Sequence, residues 1–397
     1  MSMDKKVPEI RYKGFNDQWQ EREFSHFATR VSTHHQSTCL ACVEYEDIVA
    51  GKGIFNKDIQ QKKNFKTGLK FEAGDVVFGK LRPYLKNWFL ADFEGLAVGD
   101  FWVLRANNVA STFLFSLIQT NRFEFISNLS AGSKMPRSDW GLVSTSCFFV
   151  PKNISESNEI GNYFQKLDAL INQHQQKHDK LCKFKKSMLE KMFPKQGKTM
   201  PEIRFKGFSG EWEEKELGEL AEIVRGASPR PIEDPKWFDN QSSVGWLRIR
   251  DVTEQDGRIH YLEQRISKLG QEKTRVLHEK HLLLSIAASV GKPVVNYVQT
   301  GVHDGFLIFK KPLFELEFMY QWLKSFEAKW QQFGQPGSQI NLNSDIVKSQ
   351  TVTIPTKEEQ IAIGNYFKKL DDLINRHQQQ ITKLNNIKQA CLSKMFV

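Results

Sequence analysis

IGNYFQKLDALINQHQQKHDKLCKFKKSMLEKMF at 160–193 and IGNYFKKLDDLINRHQQQITKLNNIKQACLSKMF at 363–396 are one sequence written twice, with 21 identities in 34 positions at an offset of 203. In the first copy Ile160, Phe164, Leu167, Ile171, His174, His178, Leu181, Lys185, Met188 and Met192 follow at alternating steps of four and three. The second copy repeats the pattern with Ile363, Phe367, Leu370, Ile374, His377, Ile381, Leu384, Lys388, Cys391 and Met395. A mostly apolar seam of this period, unbroken by Gly or Pro after Asn162 and Asn365, predicts two long helices pairing as a coiled coil. At about 1.5 Å per residue each is on the order of 50 Å long. The alternative is two amphipathic helices, each packed in its own domain. If the helices pair antiparallel about their midpoints, opposed numbers sum to 555, which sets His178 against His377 and His174 against Ile381.

Working outward, PEIRYKGFNDQWQEREF at 8–24 returns as PEIRFKGFSGEWEEKEL at 201–217, with 10 identities in 17 and an offset of 193. Between these shared blocks, 25–158 and 218–358 have little in common beyond faint echoes: Gly79-Lys80 with Gly291-Lys292, Val98-Gly99-Asp100-Phe101 with Val302-His303-Asp304-Gly305-Phe306, and Gly132-Ser133-Lys134 with Gly337-Ser338-Gln339. A frame with a variable insert, present twice, excludes a stacked solenoid and implies two pseudo-symmetric halves. Short β-branched or aromatic runs bounded by Gly, Pro, Asp or Asn predict strands at Asp75–Phe78, Phe101–Leu104, Cys147–Val150, Trp246–Ile249, Leu282–Ile286, Val294–Val298 and Thr351–Ile354. The expected fold class is therefore mixed α/β (α+β): two globular domains separated by the two long helices. The expected boundaries are a first domain at 1–158, a first helix at 159–194, a linker at 195–200, a second domain at 201–358 and a second helix at 359–397.

The 397 residues carry a formal net charge of +10, a bias toward polyanions. The longest apolar run, Leu282 to Val290, falls far short of the ~20 residues that span a bilayer, so no membrane helix is expected. The opening MSMDKKVPEIRYKG lacks the apolar region of a secretory signal, and a cytoplasmic location is expected. Five cysteines (Cys39, Cys42, Cys147, Cys182 and Cys391) are too few and too odd for a disulfide framework.

No catalytic motif is complete. Gly74 to Leu81 fits a phosphate-binding P-loop except at its last position, where Leu81 replaces the hydroxyl that would ligate Mg²⁺, and its middle reads as a strand. Gly51-Lys52-Gly53 is no dinucleotide fingerprint. There is no Pro-Pro pair for the base-holding loop of an amino-methyltransferase. The E-x-K triplets at Glu213–Lys215 and Glu327–Lys329 lack further carboxylates for a metal. His34, His35, Cys39 and Cys42 have atypical zinc spacing, and no metal site is assigned.

What remains is recognition chemistry. Gly-containing runs rich in Arg, Lys, Gln and Asn recur in both halves, and such side chains pair with base edges in the major groove. The candidate DNA contacts are Lys80, Arg82, Ser133, Lys134 and Arg137 in the first half. In the second they are Arg225, Ser228, Arg230, Gln339, Asn341 and Asn343. The competing readings are a self-contained DNA-modifying enzyme and a coiled-coil scaffold without sequence-specific reading.

The PEIRxKGFxxxW openings, GDVVFGKLRPYL at 74–85, RGASPRP at 225–231, WLRIRDVT at 246–253, GSQINLNSDI at 337–346 and the duplicated IGNYFxKLDxLIN helices together resemble the specificity (S) subunit of type I restriction-modification enzymes, in order and over essentially the whole chain. The resemblance implies a non-catalytic subunit with two target-recognition domains, each reading half of an asymmetric bipartite site in double-stranded DNA. It also implies an antiparallel coiled coil between them and docking of two methyltransferase (M) subunits and of restriction (R) subunits. SAM, ATP and Mg²⁺ would then belong to those partners, with no cofactor in this chain. Half-site centres about one turn apart, ~10 base pairs, are expected for two such domains on one DNA face.

Overall fold

The computed structural model describes residues 7–62, 66–129, 135–195, 197–287, 289–333 and 342–397. The long helices run Ile154–Met192 and Lys357–Lys394, 39 and 38 residues. The chain divides into two units, the first formed by 1–177 with 377–397 and the second by 178–376, so each unit holds a part of both helices. Every predicted seam position is buried or half-buried.

Within each unit the helices run antiparallel and are joined by a lysine on the seam. In the first unit Lys388 Nζ lies 2.6 Å from Asp168 Oδ1, and Tyr163 Oη lies 3.5 Å from Cys391 Sγ. In the second, Lys185 Nζ lies 2.5 Å from Asp371 Oδ1. The partners of each ion pair sum to 556, one away from the midpoint register. The histidine layer differs from the expectation: His377 Nδ1 lies 2.9 Å from Nδ1 of His174, while His178 bonds Asp179 and approaches Cys182 Sγ at 3.7 Å. Knob-into-hole packing inserts each side chain among several partner residues, so one-to-one opposition selected the neighbouring layer.

The duplicated motifs form the same joints in both units. Arg11 donates from Nε and Nη2 to Glu156 at 2.5 and 2.8 Å, and Arg204 does so to Glu359 at 2.7 and 2.6 Å. Both glutamates are buried at the start of a long helix, so PEIR is the clamp that fixes the chain's entry to that helix. The following strand, Gln20–Glu23 or Glu213–Glu216, pairs antiparallel with the strand that leads into the helix, Cys147–Val150 or Thr351–Ile354. Glycine in IGNYF permits a backbone approach. A Cβ on Gly161 would lie 2.6 Å from the amide nitrogen of Phe113, and one on Gly364 would lie 2.9 Å from that of Phe318. The closing phenylalanines of the KMF ends then fill the cores: Phe396 packs on Trp19, Phe113 and Phe164, and Phe193 on Trp212, Phe318 and Phe367.

The inserts share a topology that their sequences conceal. In the first unit one sheet has the order Ala28–Val31, Phe101–Ala106, Val76–Gly79, Trp88–Leu90. In the second, Glu222–Arg225, Phe306–Lys310, Leu282–Ser285 and Pro293–Asn296 take the corresponding places, with Arg258–Ile259 added at the edge. Each unit has a second sheet around a short strand, Gly95–Ala97 or Thr300–Val302, paired parallel on one side (Ala41–Val43 or Gly245–Leu247) and antiparallel on the other. The strand expected at Trp246–Ile249 is shorter, Gly245–Leu247, and Ile249–Glu254 is helical. Asp251 accepts the Arg248 amide at 2.8 Å, a cap that starts the helix where apolar alternation alone read on as strand.

Candidate nucleic-acid interface

In each insert the chain passes from the short central strand of one sheet to a long strand of the other, and an aspartate sits at the crossing. Asp100 lies between Gly95–Ala97 and Phe101–Ala106, and Asp304 between Thr300–Val302 and Phe306–Lys310. The Asp100 carbonyl accepts Tyr45 Oη at 2.6 Å and the Lys80 amide at 2.9 Å, which fixes the turn. Burial pushes the Tyr45 hydroxyl up to about 12, so it stays a neutral donor. The Asp100 carboxylate faces outward. Arg137 approaches its Oδ2 from Nε at 3.0 Å and Nη2 at 2.9 Å, and Lys80 Nζ stands 3.5 Å from Oδ1.

The second crossing is built alike from different residues. Ser228 Oγ donates to Asp304 Oδ1 at 2.8 Å, and Arg230 Nη2 to Oδ2 at 3.0 Å. Arg225 Nε donates to the Asp304 carbonyl at 2.6 Å. Burial works to raise the Asp304 carboxyl, but the Ser228 hydrogen bond, a backbone hydrogen bond and the charge of Arg225 outweigh it and hold the group below the usual carboxylate range. Burial lowers His303, whose Nδ1 accepts the Gly305 amide at 2.8 Å and is therefore the unprotonated nitrogen.

Five candidate contacts thus gather on two aspartates: Lys80 and Arg137 on one, Arg225, Ser228 and Arg230 on the other. Arg82 is exposed, has a left-handed backbone (φ 49°) and donates its amide to the Pro136 carbonyl at 2.8 Å, so it stands beside Arg137. Pro83–Leu85 follow as one helical turn with Tyr84 and Leu85 turned to solvent. Asn343 has a structural task, its Oδ1 capping the helix Ser344–Lys348 through the amides of Asp345 and Ile346. Ser133, Lys134, Gln339 and Asn341 lie outside the described residues.

A cleft adjoins each aspartate. In the first unit it encloses about 300 Å³ among Arg30, His34, Lys80 and Trp102; in the second about 640 Å³ among Arg230, Trp246, Arg248 and His303. Asp100 and Asp304 were absent from the sequence-derived candidates, although the echo of Val98–Phe101 in Val302–Phe306 marked them. Arg30 carried no such signal, whereas Arg248 lay within the WLRIRDVT run at 246–253. Among the described residues no three His, Cys, Asp or Glu side chains form a metal-holding group, and no helix is long and apolar enough to cross a membrane. Neutral hydroxyls, guanidiniums and carboxylates on a two-sheet edge can bind and discriminate a polyanion's bases.

Residues 209–386 match a family model described as the type I restriction modification DNA specificity domain. The fold is similar over nearly the whole chain to the S subunit of a type I restriction-modification system from M. genitalium, with 14% identity, TM-score 0.59 and 98% of this chain and 99% of that one covered. It is also similar to a chain from a study of complex assembly and conformational transition in a type I system, with 19% identity, TM-score 0.52 and coverage of 95% and 97%.

Proposed function

We propose that the chain is a DNA specificity subunit of a type I restriction-modification system and that each of its inserts reads one half of an asymmetric bipartite site in double-stranded DNA. One observation carries this reading: two inserts of unrelated sequence present a cationic cluster anchored on an aspartate at the same crossing of the same topology. A duplicated frame with divergent inserts suits two readers of different sequences, each held by the same joints. Lys80, Arg82, Arg137, Arg225, Ser228 and Arg230, with Ser133, Lys134, Gln339, Asn341 and Asn343 in the same runs, are the contacts we assign. The assignment takes 1–158 and 201–358 as the recognition domains and 159–194 and 359–397 as the helices that carry them.

A specificity subunit is the non-catalytic member of its complex. Methylation and cleavage fall to two M subunits and to R subunits docked on this chain, which supply the sites for SAM, ATP and Mg²⁺. A DNA target places the assembly in the cytoplasm. The test is an exchange of residues 25–158 or 218–358 with those of another specificity subunit, followed by methylation mapping by long-read sequencing in a host that carries the M partner. One half of the methylated sequence changes and the other stays. A swap that alters both halves, or neither, refutes independent reading.

A further inference from the structure

An exposed arginine–aspartate pair contributes little to stability, so stability does not account for its presence at both crossings. Arg137 is 52% exposed and Arg230 80%, against 31% for Asp100 and 35% for Asp304. The carboxylates are the more enclosed partners and are held by the fold: Asp100 through its carbonyl, Asp304 through its carbonyl and Ser228. The arginines are the free ends.

Two kinds of acceptor compete for such a guanidinium. A phosphate oxygen carries a full negative charge and carries no sequence information. A guanine edge offers neutral acceptors, O6 and N7, in a pattern that names the base. A carboxylate fixed beside the guanidinium repels the phosphate and leaves the neutral edge almost unaffected. It also restricts the arginine's rotamers before DNA arrives, which reduces the ordering cost on binding.

Resting on the reading of these inserts as DNA-recognition domains, we propose that Asp100 and Asp304 are specificity-determining positioning residues: each aims its arginine at base edges and turns it away from phosphate, so that binding to the wrong sequence is suppressed. This predicts that removing a negative charge from the interface sharpens nothing and instead makes the protein less discriminating, in one half-site at a time.

The test uses the full chain assembled with its methyltransferase subunits, in Asp100→Asn, Asp304→Asn and Asp304→Glu forms. Two probes are used, a random-sequence duplex and the cognate duplex found by methylation mapping, each titrated over a range of salt. Each Asn variant binds the random duplex about tenfold more tightly and with a log–log salt slope steeper by about one contact, because the released arginine now meets a phosphate. Mapping shows relaxed base preference in the half-site of the altered unit alone. Asp304→Glu, which keeps the charge, stays near the parent on random DNA. A purely structural role would weaken binding to both probes, and that result overturns the proposal. So does random-duplex affinity that stays unchanged, or a clean switch to a different base, which would make the aspartate itself a reader of cytosine N4. Arg137→Ala and Arg230→Ala separate the two levels. If they relax their half-sites while the Asn variants leave random-DNA binding unchanged, only this inference fails. If they leave both half-sites intact, these arginines are not the readers, and the assignment of base contacts beneath it fails as well.

Discussion

Replacing Gly161 by alanine sets two effects of opposite sign against each other. Gly161 lies inside the first long helix, where alanine is favoured over glycine by about 1 kcal/mol. The added Cβ, however, would lie 2.0 Å from Thr112 Oγ1 and 2.6 Å from the amide nitrogen of Phe113. The hydroxyl can rotate away. The amide cannot, because Phe113 belongs to the helix Ser111–Leu117 and its ring is fully buried in the core. Overpacking costs about 1 to 3 kcal/mol, and a clash against backbone belongs at or above the top of that range, leaving a net loss of about 2 kcal/mol. For a unit of this size that corresponds to a fall of about 4 to 8 °C in melting temperature. At Gly364 the nearest atoms are Glu315 Oε2 at 2.7 Å and the Phe318 amide at 2.9 Å, so the same substitution is milder. Differential scanning calorimetry of the two variants checks both the sign and the order. A Gly161→Ala chain that melts at or above the parent temperature would show that helix propensity decides and that the close approach carries no weight.

Arg11→Ala leaves Glu156, 2% exposed, as a buried charge without its guanidinium and is expected to cost about 3 to 5 kcal/mol, whereas Arg11→Met with Glu156→Leu costs far less. A urea double-mutant cycle measures this, and a single-variant cost below about 1 kcal/mol would contradict the clamp. Glu317 is pushed up by burial but held down more strongly by its hydrogen bonds and charge contact with Arg258, and by Lys280, so its net position is below the usual 4.5. Its contribution is therefore present above the unfolded value and lost as pH falls through the lower, folded one. Glu317→Gln should flatten the acid limb of the second unit's urea midpoint against pH, and an unchanged limb would assign that acid sensitivity to other groups.

Long helices and their antiparallel register were legible because a period of three and four reports which face is buried whatever the partner, and the ion pairs at Asp168 and Asp371 fall within one residue of the expected sum. The layer at His174 was not, since interdigitation depends on side-chain geometry that numbering lacks. The frame motifs were visible as repeats but mute as to purpose: PEIR gave no hint that its arginine would clamp a glutamate over 140 residues away. The common topology of the inserts was hidden because strand pairing is made by backbone groups, which leave residue identity free. The aspartates at the crossings were half visible, in an echo too short to weigh against ordinary loops. Arg248, read within a strand at 246–249, instead starts a helix through its bond to Asp251, which the alternation of apolar residues does not register.

The first unit is closed by residues that follow the whole of the second in the chain. Leu392 and Met395 belong to its core, and Phe396 packs on Trp19 and Phe113. During synthesis, residues 178–376 are thus complete while the earlier-made unit still waits for its last helical turns. Until then Trp19, Phe113 and Phe164 have an open side, and the usual order in which the N-terminal part of a chain matures first is reversed. A chain truncated before Ile387 would hold a complete second unit joined to an unfinished first one, a difference that limited proteolysis can detect.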